Sequence, residues 1–80
     1  MSKWKIYILE CNDGSLYTGI TTDLEKRVKR HNEGRASKYT RAKTPVAVVY
    51  TEDAVNEPLA KKREAEIKKL SRQDKLKLIK

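Results

Sequence analysis

Only three residues, Asn12, Asp13 and Gly14, separate two runs rich in β-branched and aromatic side chains, "WKIYILEC" (Trp4 to Cys11) and "SLYTGIT" (Ser15 to Thr21). Such runs read as strands, and a connection this short joins them as an antiparallel hairpin. The loop also decides which side chains meet. A two-residue Asp13-Gly14 loop pairs Asn12 with Ser15 and sends Tyr7 and Tyr17 to opposite sides of the sheet. A three-residue loop pairs Cys11 with Ser15 and puts residues 7, 9, 17 and 19 on one face. Asn-Asp-Gly suits a type I turn followed by glycine in the left-handed region, so the three-residue form is expected. A slip of one residue would reverse every side chain.

Downstream, "TDLE" (Thr22 to Glu25) has the spacing of a capping box, with Thr22 accepting from the chain and Glu25 reaching back. The helix is expected to run from Asp23 to about Glu33, with Gly34 as its stop. Leu24, Val28 and His31 recur at i, i+4 and i+7, and Arg27 and His31 flank that inward stripe. Lys26, Lys29 and Arg30 point outward. "GRASKYTRAKTP" is polar and basic and reads as a loop. "VAVVYTE" (Val46 to Glu52) reads as a third strand. Asn56 caps a helix that starts at Glu57-Pro58 and runs to about Leu70, with Leu59, Ala60, Ile67 and Leu70 as its apolar stripe. "SRQD" (Ser71 to Asp74) starts a short final helix carrying Leu76 and Ile79. The order β-β-α-β-α-α predicts an α+β domain over residues 1–80, a three-stranded antiparallel sheet flanked by helices.

Charge narrows the partners. Nineteen Lys and Arg against 11 acids give +8 and a pI near 9.8. That balance favours a polyanion such as nucleic acid, or an anionic membrane surface. No apolar run approaches the ~18 residues a membrane span needs. Cys11 is the only cysteine, so no intrachain disulfide can form. With no apolar leader, the expectation is a reduced, cytoplasmic protein. From Lys26 to Lys43 inclusive there are eight cations and one acid. Lys26, Lys29, Arg30, Lys38, Arg41 and Lys43 are therefore candidates to hold a phosphate backbone, which confers affinity and salt sensitivity rather than sequence choice. Tyr39, among them, can stack on a base or stand as an ordinary loop tyrosine.

Three segments carry candidate chemistry. Tyr17 and Gly19 sit late in the second strand. A phenol with a pKa near 10 is a poor base at neutral pH unless cations lower that value, and Arg27 lies on the next helix. Gly19 would let a backbone or a phosphate come close. Arg27 suits bidentate phosphate binding, and His31 can relay a proton. Read singly, Tyr17 is equally a half-buried strand aromatic, and Arg27 and His31 are polar groups at a helix edge. Glu64 and Glu66, in "KKREAEIKK", border the apolar stripe of their helix. Either can offer the carboxylate that Mg²⁺ or Mn²⁺ takes, or serve only in a salt bridge along the helix, as Glu64 can with Lys68 four residues on. Helical geometry does not choose between them.

Taken together and in order, these residues resemble the GIY-YIG nuclease superfamily. The resemblance is carried by "IYI" (Ile6 to Ile8), "YTGIT" (Tyr17 to Thr21), Arg27 and His31 in "EKRVKRHN", and Glu64 in "REAEIK". It is nearest to a small stand-alone bacterial branch, as in "DGSLYTGITTDLEKR", "KYTR" and "IKKLS". The first motif reads Lys5-Ile6-Tyr7, without the glycine of the family name, and "KKLSRQDK" lacks the asparagine some members carry there. The resemblance implies divalent-metal-dependent hydrolysis of phosphodiester bonds in DNA, in repair or recombination. It implies Glu64 as the ligand of one Mg²⁺ or Mn²⁺, and Tyr17 as general base or positioner of the attacking water. Arg27 would stabilise charge on the scissile phosphate, while Tyr7 and His31 would support nucleophile positioning and proton transfer. Two other readings stay open: a basic nucleic-acid-binding module without efficient catalysis, and a nuclease subunit targeted by a protein partner. A monomer or weak oligomer is expected.

Overall fold

The computed structural model describes residues 3–79. Strands β1 (Trp4–Glu10), β2 (Leu16–Thr21) and β3 (Ala47–Ala54) form one antiparallel sheet in the order β2-β1-β3. The hairpin has the three-residue loop: Cys11 N–H donates to Ser15 O at 2.9 Å, Gly14 N–H donates to Cys11 O at 2.9 Å, and Gly14 has φ +84°. Tyr7 pairs with Gly19 and Leu9 with Tyr17, so the expected face is formed. Central β1 is buried on both sides; Ile6, Tyr7, Ile8 and Leu9 are at most 1% exposed.

Helices α1 (Leu24–Asn32), α3 (Glu57–Lys68) and α4 (Arg72–Ile79) fall close to their predicted ranges. On one sheet face, Ile6 and Ile8 pack with Ala60 and Ile67 of α3, joined by Leu78 and Ile79 of α4. On the other, Tyr7, Leu9, Cys11 and Val46 pack with Tyr17, Leu24 and Val28. The buried side chains of α1 and α3 thus lie on opposite faces of the sheet.

Four details differ from the sequence-based expectation. The N-cap of α1 is Asp23, whose side chain accepts from Lys26 N–H at 3.1 Å. Thr21 Oγ1 accepts from Asp23 N–H, so the capping group lies one residue beyond Thr22. Leu59, expected in the apolar stripe, is 48% exposed, because α3 turns only Ala60 and Ile67 fully inward. Strand β3 starts one residue later than expected and extends to Ala54.

The fourth difference is a one-turn helix, α2 (Lys38–Arg41), in the segment expected to be loop. Its N-cap Ser37 accepts from Tyr39 N–H at 3.1 Å. Its exit is tied down twice: Asn12 N–H donates to Lys43 O at 2.9 Å, and Asn12 Nδ2 donates to Thr44 O at 2.6 Å. Asn32, at the end of α1, then accepts from Val46 N–H at 2.7 Å. These side-chain clamps hold α2 beside α1, over the face that carries Tyr7 and Tyr17.

Candidate active site

Tyr7 stands on β1 and reaches across β2 above Gly19. A Cβ at Gly19 would lie 2.5 Å from the Tyr7 hydroxyl oxygen, 2.7 Å from its Cζ and 3.2 Å from a Tyr17 ring carbon. The glycine gap is therefore filled by the Tyr7 phenol, not left open for a phosphate as the sequence had suggested. The Tyr7 hydroxyl lies 2.9 Å from His31 Nε2. His31 is fully buried on α1, and its Nδ1 lies 2.8 Å from Thr40 Oγ1 on α2. Thr40 Oγ1 in turn donates to Ser37 O at 3.4 Å.

Tyr17 closes the group. Its ring centroid is 5.1 Å from that of His31, edge-on, and 6.4 Å from that of Tyr7. On its other neighbour it is stacked, at 5.8 Å and 29°, with Tyr39. Tyr39 is 43% exposed and carries the Lys43 ammonium 3.8 Å from its ring centre, while Asp13 holds Lys43 at 3.4 Å. Tyr39, expected either to stack on a base or to stand as an ordinary loop tyrosine, is thus packed against Tyr17, and Lys43, expected to hold a phosphate backbone, caps the outer face of Tyr39.

Electrostatics tie in the remaining candidates. Burial pushes the Tyr7 phenol well above its usual value, aided by Tyr17 and Glu64 and opposed by Arg27. Burial also pulls His31 below its usual value, and the Arg27 cation adds to that. At neutral pH Tyr7 keeps its proton and His31 is an uncharged imidazole. Arg27 and Glu64, from α1 and α3, therefore both act on one phenol. Glu64 lies between buried Ala60 and Ile67 in sequence, its side chain 21% exposed and 3.4 Å from Lys68 Nζ. Glu66 instead pairs with Arg63 at 3.2 Å and is 52% exposed, so tertiary packing separates the two carboxylates that the helix wheel could not.

The outer cations divide between two depressions. Lys26, Arg27 and Arg30 line an open one of about 320 Å³ with Thr21, Thr22 and Asp23. Lys38 and Arg41 line another of about 200 Å³ with Gly34, Arg35, Ala36 and Ser37. Lys29 is exposed on α1 and lines neither. Thr40, buried and bonded to His31, joins this group without having been a candidate in the sequence. Its only local signal is the capped turn "SKYT", and its burial arises from the clamps around α2.

Phenol, imidazole, guanidinium and carboxylate gathered at a basic surface define the class. Residues 3–77 match the family model described as the GIY-YIG catalytic domain, and the chain belongs to the GIY-YIG family, a nuclease superfamily. Among particular relatives, it is similar to a UPF0213 protein of Staphylococcus saprophyticus, 54% identical over 79 residues, which span 99% of this chain and 96% of that one. It is also similar to the solution NMR structure of a UPF0213 protein from Bacillus halodurans, at 44% identity and a TM-score of 0.62, over 96% of this chain and 82% of that one. A second solution NMR structure, of a protein from E. faecalis, is similar at 42% identity and a TM-score of 0.64, over 94% and 80% of the two chains.

Proposed function

We propose that this protein is an endonuclease that hydrolyses phosphodiester bonds in DNA with the help of one Mg²⁺ or Mn²⁺ ion. The observation that carries the reading is the cluster around the Tyr7 hydroxyl: it lies 2.9 Å from His31 Nε2, and the Tyr17 ring packs against both rings; the charges of Arg27 and Glu64 reach the same phenol.

The donor set fits such an ion. Among the described residues no three His, Cys, Asp or Glu side chains cluster as a closed cage. Both His31 nitrogens already have partners. Glu64 is the carboxylate whose charge reaches Tyr7. Mg²⁺ commonly takes one or two carboxylates, keeps several waters and completes its shell with substrate phosphates, and a lone, partly exposed glutamate suits that mode. When bound, the ion would polarise the phosphate and stabilise the leaving oxygen.

The chain's own groups supply the rest. Arg27 meets the negative charge that grows on the phosphate, an interaction of the kind whose removal costs about 10²–10³ in rate. Tyr17 positions the attacking water or takes its proton. Tyr7, bonded to a neutral imidazole, passes its proton to His31 Nε2 as it receives one from the nucleophile's side. Lys26 and Arg30, beside Arg27, hold the adjoining backbone, and Lys29, Lys38 and Arg41 extend that contact.

Cutting of branched, nicked and linear DNA with Mg²⁺ or Mn²⁺ tests the reading, comparing wild type with Glu64→Gln. The variant is expected to bind DNA as wild type does and not to cut. Equal cutting by both refutes Glu64 as the metal ligand. Binding without cutting by wild type on every substrate favours the non-catalytic module.

A further inference from the structure

We infer that Thr40 is a positioning residue that fixes the tautomer of His31 and so sets the direction of proton flow from Tyr7. The consequence for rate rests on the nuclease reading; the tautomer itself does not.

One group in this run of contacts cannot donate. Ser37 O is a carbonyl and only accepts, so the Thr40 hydroxyl proton points at it. The Thr40 oxygen then faces His31 Nδ1 as an acceptor at 2.8 Å, which places the proton on Nδ1; the buried Tyr7 hydroxyl agrees, since among the described residues His31 Nε2 is its only hydrogen-bond partner and the phenol proton needs an acceptor there. In an uncharged imidazole the other nitrogen is bare. His31 Nε2 therefore accepts from the Tyr7 hydroxyl at 2.9 Å. Burial holds both members in the protonation states this requires: His31 neutral and Tyr7 protonated.

Direction follows from that order. When a proton arrives at the Tyr7 oxygen, the phenol's own proton crosses to Nε2, and the resulting imidazolium keeps its Nδ1–H on Thr40. With the opposite tautomer, Nε2–H would point at Tyr7, the phenol would have to accept, and the imidazole lone pair would lie on Nδ1, facing Thr40 and away from the phenol. Thr40 is fully buried and acts only through His31.

His31 is the only histidine of the chain, so its ring nitrogens give a single set of ¹⁵N–¹H correlations. The test compares wild type, Thr40→Val and Thr40→Ser by ring ¹⁵N NMR at neutral pH, with single-turnover DNA cutting alongside. Valine keeps the shape and removes the acceptor. Wild type and Thr40→Ser are expected to show the Nδ1–H form. Thr40→Val is expected to lose it in favour of Nε2–H and to cut about 10–100-fold more slowly, part of the ~10²–10⁴ that a positioned acid–base group supplies. Thr40→Ser is expected to retain wild-type cutting. An Nε2–H wild type overturns the inference, as does a Thr40→Val protein that keeps the Nδ1–H form. The wild-type spectrum decides even if the valine variant does not fold. A wild type with the expected tautomer that cuts no DNA contradicts the nuclease reading and leaves the action of Thr40 on His31 standing.

Discussion

Substituting Gly19 with alanine tests the packing on which the site depends. Gly19 is not in the positive-φ region, so its backbone accepts a side chain without strain, and the whole effect comes from the added methyl. That carbon would sit 2.5 Å from the Tyr7 hydroxyl oxygen and 2.7 Å from Cζ. An ordinary C···O contact is about 3.3 Å, so the phenol must retreat by roughly 0.8 Å. It has little room to do so, being 1% exposed and bonded to His31 at 2.9 Å. Overpacking of this kind costs ~1–3 kcal/mol. A weakened buried hydrogen bond adds ~1 kcal/mol, and the better strand fit of alanine returns ~0.5–1 kcal/mol. The net expectation is a loss of about 1–3 kcal/mol, or about 4–8 °C in Tm for each kcal/mol in a domain this small. Urea unfolding measures it, with an unchanged m-value confirming that the folded state stays compact. The His31 ring signals should move as well, since the displaced phenol is the partner of Nε2. Wild-type stability together with an unmoved His31 spectrum would mean that Tyr7 does not occupy the gap over Gly19.

Two further predictions concern charge. His31 has a folded pKa below its unfolded value of about 6.5, so on acidification the unfolded chain takes up the proton first. Stability is expected to fall as pH drops from about 6.5 towards the folded pKa, with no further loss from this group below it. Asp13, Glu52 and Asp53, whose pKa values are lowered, lose their contribution as pH falls below about 4.5, so urea midpoints between about pH 5.5 and 7.5 isolate the histidine. His31→Gln should flatten that slope, and an unchanged slope would place the dependence elsewhere. For DNA binding, Lys29→Ala with Arg30→Ala should reduce the slope of log K against log salt by about 2 if both contact phosphates. Arg27→Ala should cost rate far more than affinity, and the reverse pattern would mean that Arg27 is a backbone-holding cation and not the group that meets the scissile phosphate.

Much of the site was legible because its placement is local. The Asn12-Asp13-Gly14 loop sets the hairpin register, and the register alone puts Tyr7 and Tyr17 on one face. The i, i+4 relation of Arg27 and His31 places both on the side of α1 that meets that face. What escaped is what tertiary contacts decide. The "KYTR" turn has no apolar periodicity, and it is held by Asn12 and Asn32 side chains bonding to the backbone beyond it. The burial of Thr40 and the packing of Tyr39 on Tyr17 follow from those clamps. The choice of Glu64 over Glu66 likewise depends on where α3 lies. The cap of α1 was misplaced for a simpler reason: Thr21, Thr22 and Asp23 all carry capping oxygens, and composition does not rank neighbours.

The central claim is that side chains from separate elements work as one site on one phosphate. Groups acting as a unit give strongly non-additive losses when removed together. Single-turnover DNA cutting by Tyr17→Phe, Arg27→Ala and the double variant measures this directly. One shared site predicts a double variant little slower than the worse single one. Losses that multiply would show the phenol and the guanidinium acting independently, and the proposed site would not stand.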